Sequence, residues 1–294
     1  MAHVRTAPDL PDPARPGTSR TALGALQTHA LLELGSSEGK GLEALLYASA
    51  AARGREHLET ASDPAAYRAA VLAGALPGPG HIARFATRKR WMADAATVAL
   101  AEGVRQIVVL GAGFDTLGLK LLQADAELLV VELDRAAMVE AKERALAAAK
   151  IALPWPRSVA TDLGDARALT RALTAAGWRR SEPTLFVAEL ALEYLEPSAA
   201  FGVLSALGAL SGPESRIACT VRFGDVDDDQ ITTATAAVGE PMRFRPLSGE
   251  LPELLARAGL DVLASRDRIL GRRGTTALLL LAPTKLAPAS DTAA

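Results

Sequence analysis

Gly111-Ala112-Gly113 directly follows the apolar, β-branched run Gln106-Ile107-Val108-Val109-Leu110. Glycines at a strand end let the backbone approach a ligand closely, and a following helix offers it free N–H groups. The same residues fit a plain tight turn, so an acid at the end of the next strand is the feature to seek. Val130-Val131-Glu132-Leu133 supplies one, with Glu132 placed to accept from both ribose hydroxyls. Asp134 competes for that role, but is expected to cap the helix that begins at Arg135. A third contact is expected at Thr161-Asp162-Leu163, where Asp162 would accept from an adenine amino group and Leu163 would pack on the ring. A capped turn fits those residues equally well.

The turn also discriminates between cofactors. A nicotinamide dinucleotide needs a third small residue three positions after Gly113, and Thr116 stands there. Asp115 puts a carboxylate where a pyrophosphate would lie, which is unfavourable. Beside the sulfonium and ammonium of S-adenosyl-L-methionine (SAM) the same charge is neutral to favourable. SAM is therefore the expected cofactor. An NAD(P)-dependent oxidoreductase and a SAM-binding, non-catalytic protein are the alternatives.

Elements must hold these residues in place. Apolar strand-like runs at 106–110, 128–131, 183–188 and 216–221 alternate with helical patterns at 135–150, 165–177 and 197–210. That alternation predicts βαβ units and a parallel sheet. Residues 261–265 and 275–282 are also strand-like, and the segment between them is too short for a crossover helix. They should form an antiparallel pair. Upstream, helices are predicted from Ser19 to Leu34, from Asp63 to Leu72 and from His81 to Glu102. The expected organisation is a tail at 1–18, a helical lid at 19–104 and a Rossmann-like SAM-binding domain at 105–282. A cap is possible at 222–247 and a second tail at 283–294.

The chain has 294 residues, 49% apolar and 22% charged, which suits one enlarged globular domain. Its 32 basic and 34 acidic residues leave a net charge of −2, so no basic field exists to hold nucleic acid. Cys219 is the single cysteine and lies in an apolar run, which reads as a packed thiol and excludes a thiolate metal cage. No apolar stretch suits a membrane span or a secretory signal, so a cytoplasmic location is expected.

Val108 to Thr116 closely resembles the first motif of the leucine carboxyl methyltransferase family. Ser19-Arg20-Thr21-Ala22 is similar to the start of its bacterial members, and Arg88 to Asp94 to their R-T-R-x-x-D-D helix. Glu189 to Leu195 resembles the E-G-x-x-x-Y-L segment after the fourth strand, and Gly239 to Phe244 a later connection. The resemblance implies a class I methyltransferase with a doubly wound, seven-stranded α/β sheet. Six strands would be parallel and one, in the C-terminal hairpin, antiparallel, beneath a helical N-terminal lid. It implies that Gly111, Ala112, Gly113 and Asp115 hold the methionine part of SAM, Glu132 and Leu133 the ribose, and Asp162 and Leu163 the adenine. Glu189 would lie beside the methionine moiety and Arg88 near its carboxylate, with Arg90 adjacent. The chain departs from the pattern at Leu190, where the family has Gly, at Ala93 and at the charged Glu193.

Methyl transfer from a sulfonium is an in-line displacement for which a carboxylate acceptor needs no base, whereas a hydroxyl usually does. Arg88, His81 and Tyr194 are the candidate catalytic residues. His29 and His57 read as structural or exposed. The acidic run Asp225, Asp227, Asp228, Asp229 lacks the spacing of a calcium loop and reads as a solvated loop, so no metal is expected. The combined expectation is an O-methyltransferase acting on a carboxylate or hydroxyl of a small molecule, with the resemblance implying a polyketide or other secondary metabolite.

Overall fold

The computed structural model describes residues 10–14, 18–34, 41–152, 154–225, 230–269 and 272–284. Five helices come first: α1 (Arg20–Leu34), α2 (Leu42–Ala50), α3 (Gly54–Ser62), α4 (Pro64–Leu72) and α5 (Pro79–Ala101). Strands and helices then alternate through β1 (Gln106–Leu110), α6 (Leu117–Ala124), β2 (Leu129–Asp134), α7 (Ala136–Ala148), β3 (Arg157–Ala160), α8 (Ala166–Ala175) and β4 (Thr184–Ala188). α9 (Pro197–Leu210), β5 (Arg216–Arg222), α10 (Gln230–Ala237), α11 (Leu251–Arg257), β6 (Leu260–Ile269) and β7 (Arg272–Pro283) complete the chain. Among the described residues, no helix is long and apolar enough to cross a membrane.

The seven strands form one sheet in the order β3-β2-β1-β4-β5-β7-β6. β1 to β5 pair in parallel, and β7 runs antiparallel to both β5 and β6. Six strands therefore point one way and β7 the other, as expected. β1 and β4 are buried along their whole length, which is why they read as unbroken apolar runs. Alternate residues feed opposite faces. Val108, Leu110, Phe186 and Ala188 pack with α8, α9 and α11, while Ile107, Val109, Leu185 and Val187 pack with α5 and α6. Cys219 is fully buried in the first of these cores.

Several boundaries differ from expectation. β2 continues past Val131 to Asp134, because Glu132 and Asp134 still pair with Ser158 and Ala160 of β3. Asp134 does not act as the side-chain cap of α7, whose N-cap is Arg135. α2 and α3 were not anticipated. α2 starts at a glycine that gives no side-chain cap, and α3 buries only Gly54 and Leu58 on an otherwise polar surface. α5 begins at Pro79, where the fixed φ of proline suits a first turn. Its second half, from Met92 to Ala99, lies against the sheet, so the helix spans both the N-terminal bundle and the sheet face. Of the acidic run, Asp227 to Asp229 lie outside the described residues.

Candidate functional site

The strand order reverses between β1 and β4, the position where open α/β sheets leave a crevice at their carboxyl ends. A cavity of about 370 Å³ opens there. Its floor is made by the segments after β1, β2, β3 and β4, and α1 and α5 roof it. Gly111 and Gly113 have φ of +61° and +48°. A Cβ on Gly111 would come within 2.7 Å of the Ala191 Cβ, so no other residue fits that turn. The turn is tied down from β2: the N–H groups of Gly111 and Ala112 donate to the Leu133 carbonyl, and that of Gly113 donates to Asp134 Oδ2 at 2.7 Å.

Opposite the turn stands a four-membered ion network. Arg88 Nε donates to Glu189 Oε1 at 2.6 Å, and Lys89 Nζ lies 2.9 Å from both Glu189 Oε2 and Asp115 Oδ2. Asp115 also accepts the Leu117 N–H at the start of α6. Burial alone would raise the Asp115 pKa, but the Lys89 ammonium and the Leu117 N–H hold it well below the ordinary carboxylate range. Burial would lower that of Lys89, but Asp115 and Glu189 hold it above its usual value. Asp115 and Lys89 thus stay ionised at neutral pH.

Two rings complete the walls. Burial pushes the His29 pKa down to about 4, with Glu43 opposing, and pushes that of Tyr194 up to about 12. His29 Nε2 is 3.3 Å from Glu43 Oε1, and its ring centroid is 5.4 Å from that of Phe85. His29, Glu33 and Glu43 offer ligand atoms within 4.8 Å of one another, but the Lys120 ammonium already lies 2.5 Å from Glu43 and 3.6 Å from Glu33.

Arg88, Gly111, Ala112, Gly113, Asp115, Asp162, Leu163, Glu189 and Tyr194 all line this cavity. Three expected residues do not. Glu132 is buried beside α7, where its carboxylate meets Lys142 Nζ at 2.6 Å; Lys142 also donates to the Asp115 carbonyl. The side chain of Leu133 belongs to the sheet core, and only its carbonyl serves the turn. His81 lies two turns before Arg88 on α5, roughly 10 Å along the axis, and is absent from the lining.

Asp134 reaches the cavity because it is one full pleat repeat beyond Glu132, at the carboxyl end of β2. Lys89 takes the place expected of Arg90, which is exposed. Phe85, Arg88 and Lys89 recur at i, i+3 and i+4 and share a helix face, a signal present in the sequence. Glu240 carried no comparable signal. Its carboxylate accepts from Ser19 Oγ at 2.7 Å, Arg20 N at 3.0 Å, Thr21 N at 3.2 Å and the Thr21 hydroxyl, capping α1 from a distant segment. Leu190, at the cavity edge, has φ of +50° and donates its N–H to Thr220 Oγ1 at 2.7 Å. Thr220 in turn donates to the buried Glu193, whose pKa burial raises to about 7.

The model of the family described as leucine carboxyl methyltransferase matches residues 45–208, more than half of the chain. The chain belongs to the leucine carboxyl methyltransferase family. Two relatives carry the name "Putative S-adenosyl-L-methionine-dependent methyltransferase". One, from a Mycobacterium species, is 34% identical over 230 residues, covering 74% of this chain and 72% of the relative. The other, from Mycolicibacterium paratuberculosis, is 40% identical over 137 residues, covering 46% of this chain and 42% of the relative. A DUF574 family protein from Streptomyces avermitilis shares the fold, with a TM-score of 0.56 and 16% identity over 90% of this chain and 98% of that one. This methyltransferase is SAM-dependent, and the nicotinamide alternative is set aside by its family.

Proposed function

We propose that this methyltransferase forms a methyl ester on the carboxylate of a small molecule. The observation that carries the reading is the cavity wall, whose carboxylates Asp115 and Glu189 are engaged by Arg88 and Lys89 and whose two rings are held uncharged. A histidine whose pKa falls to about 4 and a tyrosine whose pKa rises to about 12 are poor proton acceptors at neutral pH. A carboxylate arrives already ionised and needs neither. A hydroxyl acceptor is the second reading, and an origin in polyketide or other secondary metabolism rests on the resemblance alone.

The lining fits SAM. The turn leaves no room for a side chain at Gly111, and the charged network beside it suits a zwitterionic methionine moiety. In this reading Arg88 and Lys89 take its carboxylate, Asp115 and Glu189 its ammonium, Asp134 the ribose hydroxyls, and Asp162 with Leu163 the adenine. Bound SAM supplies a methyl group already activated on sulfur. The chain contributes orientation and exclusion of water: the turn and the ion network fix one reactant, and α1 and α5 close over both.

The test is calorimetric titration with S-adenosylhomocysteine, NAD and NADP, followed by a screen of carboxylic acids against matched alcohols. Binding of the homocysteine compound alone, with transfer to acids as base-labile esters, is the expected result. Transfer to alcohols only would overturn the ester assignment.

A further inference from the structure

The lining of the cofactor cavity forms two helical stripes. On α1 they are Ala22, Ala25, Leu26 and His29; on α5 they are Phe85, Arg88 and Lys89. Continued by one turn, the α1 stripe reaches Leu32 and the α5 stripe reaches Ile82. A second concavity lies there between α1 and α5, with Leu31, Leu32, Ile82 and Ala83 on its walls and Ala61, Ser62 and Tyr67 of α3 and α4 completing them. The His29 and Phe85 rings are the stripe members between the two sets of lining residues, and His29 is uncharged at neutral pH. Among the described residues no charged side chain lines the second concavity, and the hydroxyls of its polar members Ser62 and Tyr67 donate to the Leu58 carbonyl at 2.8 Å and the Pro77 carbonyl at 2.7 Å.

We infer that the acceptor is an amphiphile, a linear apolar chain ending in the carboxylate to be methylated, whose tail lies along the α1–α5 seam in this groove. A cavity of about 370 Å³ is at the small end of ligand sites, and its polar half is matched to SAM. With SAM in that half, an acceptor that carries a long chain extends beyond it. The seam leads from charged to apolar walls over the roughly 15 Å that α5 rises between Lys89 and Pro79. A polar head at one end and an uncharged tail at the other match that gradient. The inference rests on the methyltransferase reading of the cavity and adds the acceptor class.

The experiment titrates the protein, saturated with S-adenosylhomocysteine, with dodecanoate and with butyrate. Dodecanoate should bind at least tenfold tighter. Ile82→Trp and, separately, Ala83→Leu, both of which fill the groove, should bring its affinity down toward that of butyrate. S-adenosylhomocysteine titration of each variant serves as the folding control, and unchanged binding of that compound is expected. Equal affinity for the two acids, or a dodecanoate affinity that neither folded variant changes, would overturn the inference while leaving the cofactor assignment intact. Failure of the wild-type protein to bind S-adenosylhomocysteine would overturn both.

Discussion

Glu132 and Asp134 stand two residues apart on one strand and do different work. Glu132 is 3% exposed and neutralises Lys142, which is equally buried. Replacing it with Ala leaves an uncompensated ammonium and should cost about 3–5 kcal/mol in chemical denaturation. Asp134→Ala should instead weaken S-adenosylhomocysteine binding by about 1.5–3 kcal/mol in a calorimetric titration, through lost charge-assisted hydrogen bonds. The sequence showed that an acid ends β2 but not which one, since side-chain parity is the same for both and only the strand's true end separates them. His29 offers a pH test. Its folded pKa of about 4 lies below the unfolded value of 6.5, so below pH 6.5 the unfolded chain binds the extra proton. The stability tied to neutral His29 is complete above pH 6.5 and is lost as pH falls toward 4, on the order of 3 kcal/mol in all. Glu33, raised to about 7, acts in the opposite sense between its two values, so the comparison to make is wild type against His29→Gln. Direct proton NMR titration of the ring should give a midpoint near 4.

The strands were legible because burial on both faces writes itself as apolar runs, and the hairpin was legible from its short connection. α2 was not, because tertiary contacts rather than a side-chain cap hold it, and α3 buries only Gly54 and Leu58, too few for an apolar stripe. Tyr47 and Glu43 of α2 are fully buried, and Glu43 takes a hydrogen bond from Thr116 in the turn after β1. Contacts of that kind lie far apart in sequence. The same holds for the cap on α1, which comes from Glu240. Glu240→Ala should remove about 1 kcal/mol of capping stabilisation. Hydrogen exchange should show it as faster exchange at Arg20 and Thr21, with β1 unchanged. Gly111→Ala belongs to this scale as well, since its cost comes from the Ala191 segment and from the positive φ of the turn. It should abolish S-adenosylhomocysteine binding, read by the same titration.

Across the whole molecule, the N-terminal helices are fastened to the rest of the fold by the second half of α5 on one sheet face, by an apolar core shared with α6 and α7, by Glu43 at the turn, and by Glu240 at the α1 terminus. The α1 part of the roof is therefore tied to a segment 220 residues further along the chain. Ligand binding should protect the α1 start and the segment around Glu240 together. The floor is built differently. Lys142 links α7 to both β2 and the Asp115 carbonyl, so the turn on the cavity floor is braced by contacts that need no ligand. Binding to such a floor orders little backbone, and the calorimetric signature follows from that. The heat-capacity change should be small and negative, sized to the apolar surface covered, without the large contribution that accompanies folding of a loop around its ligand.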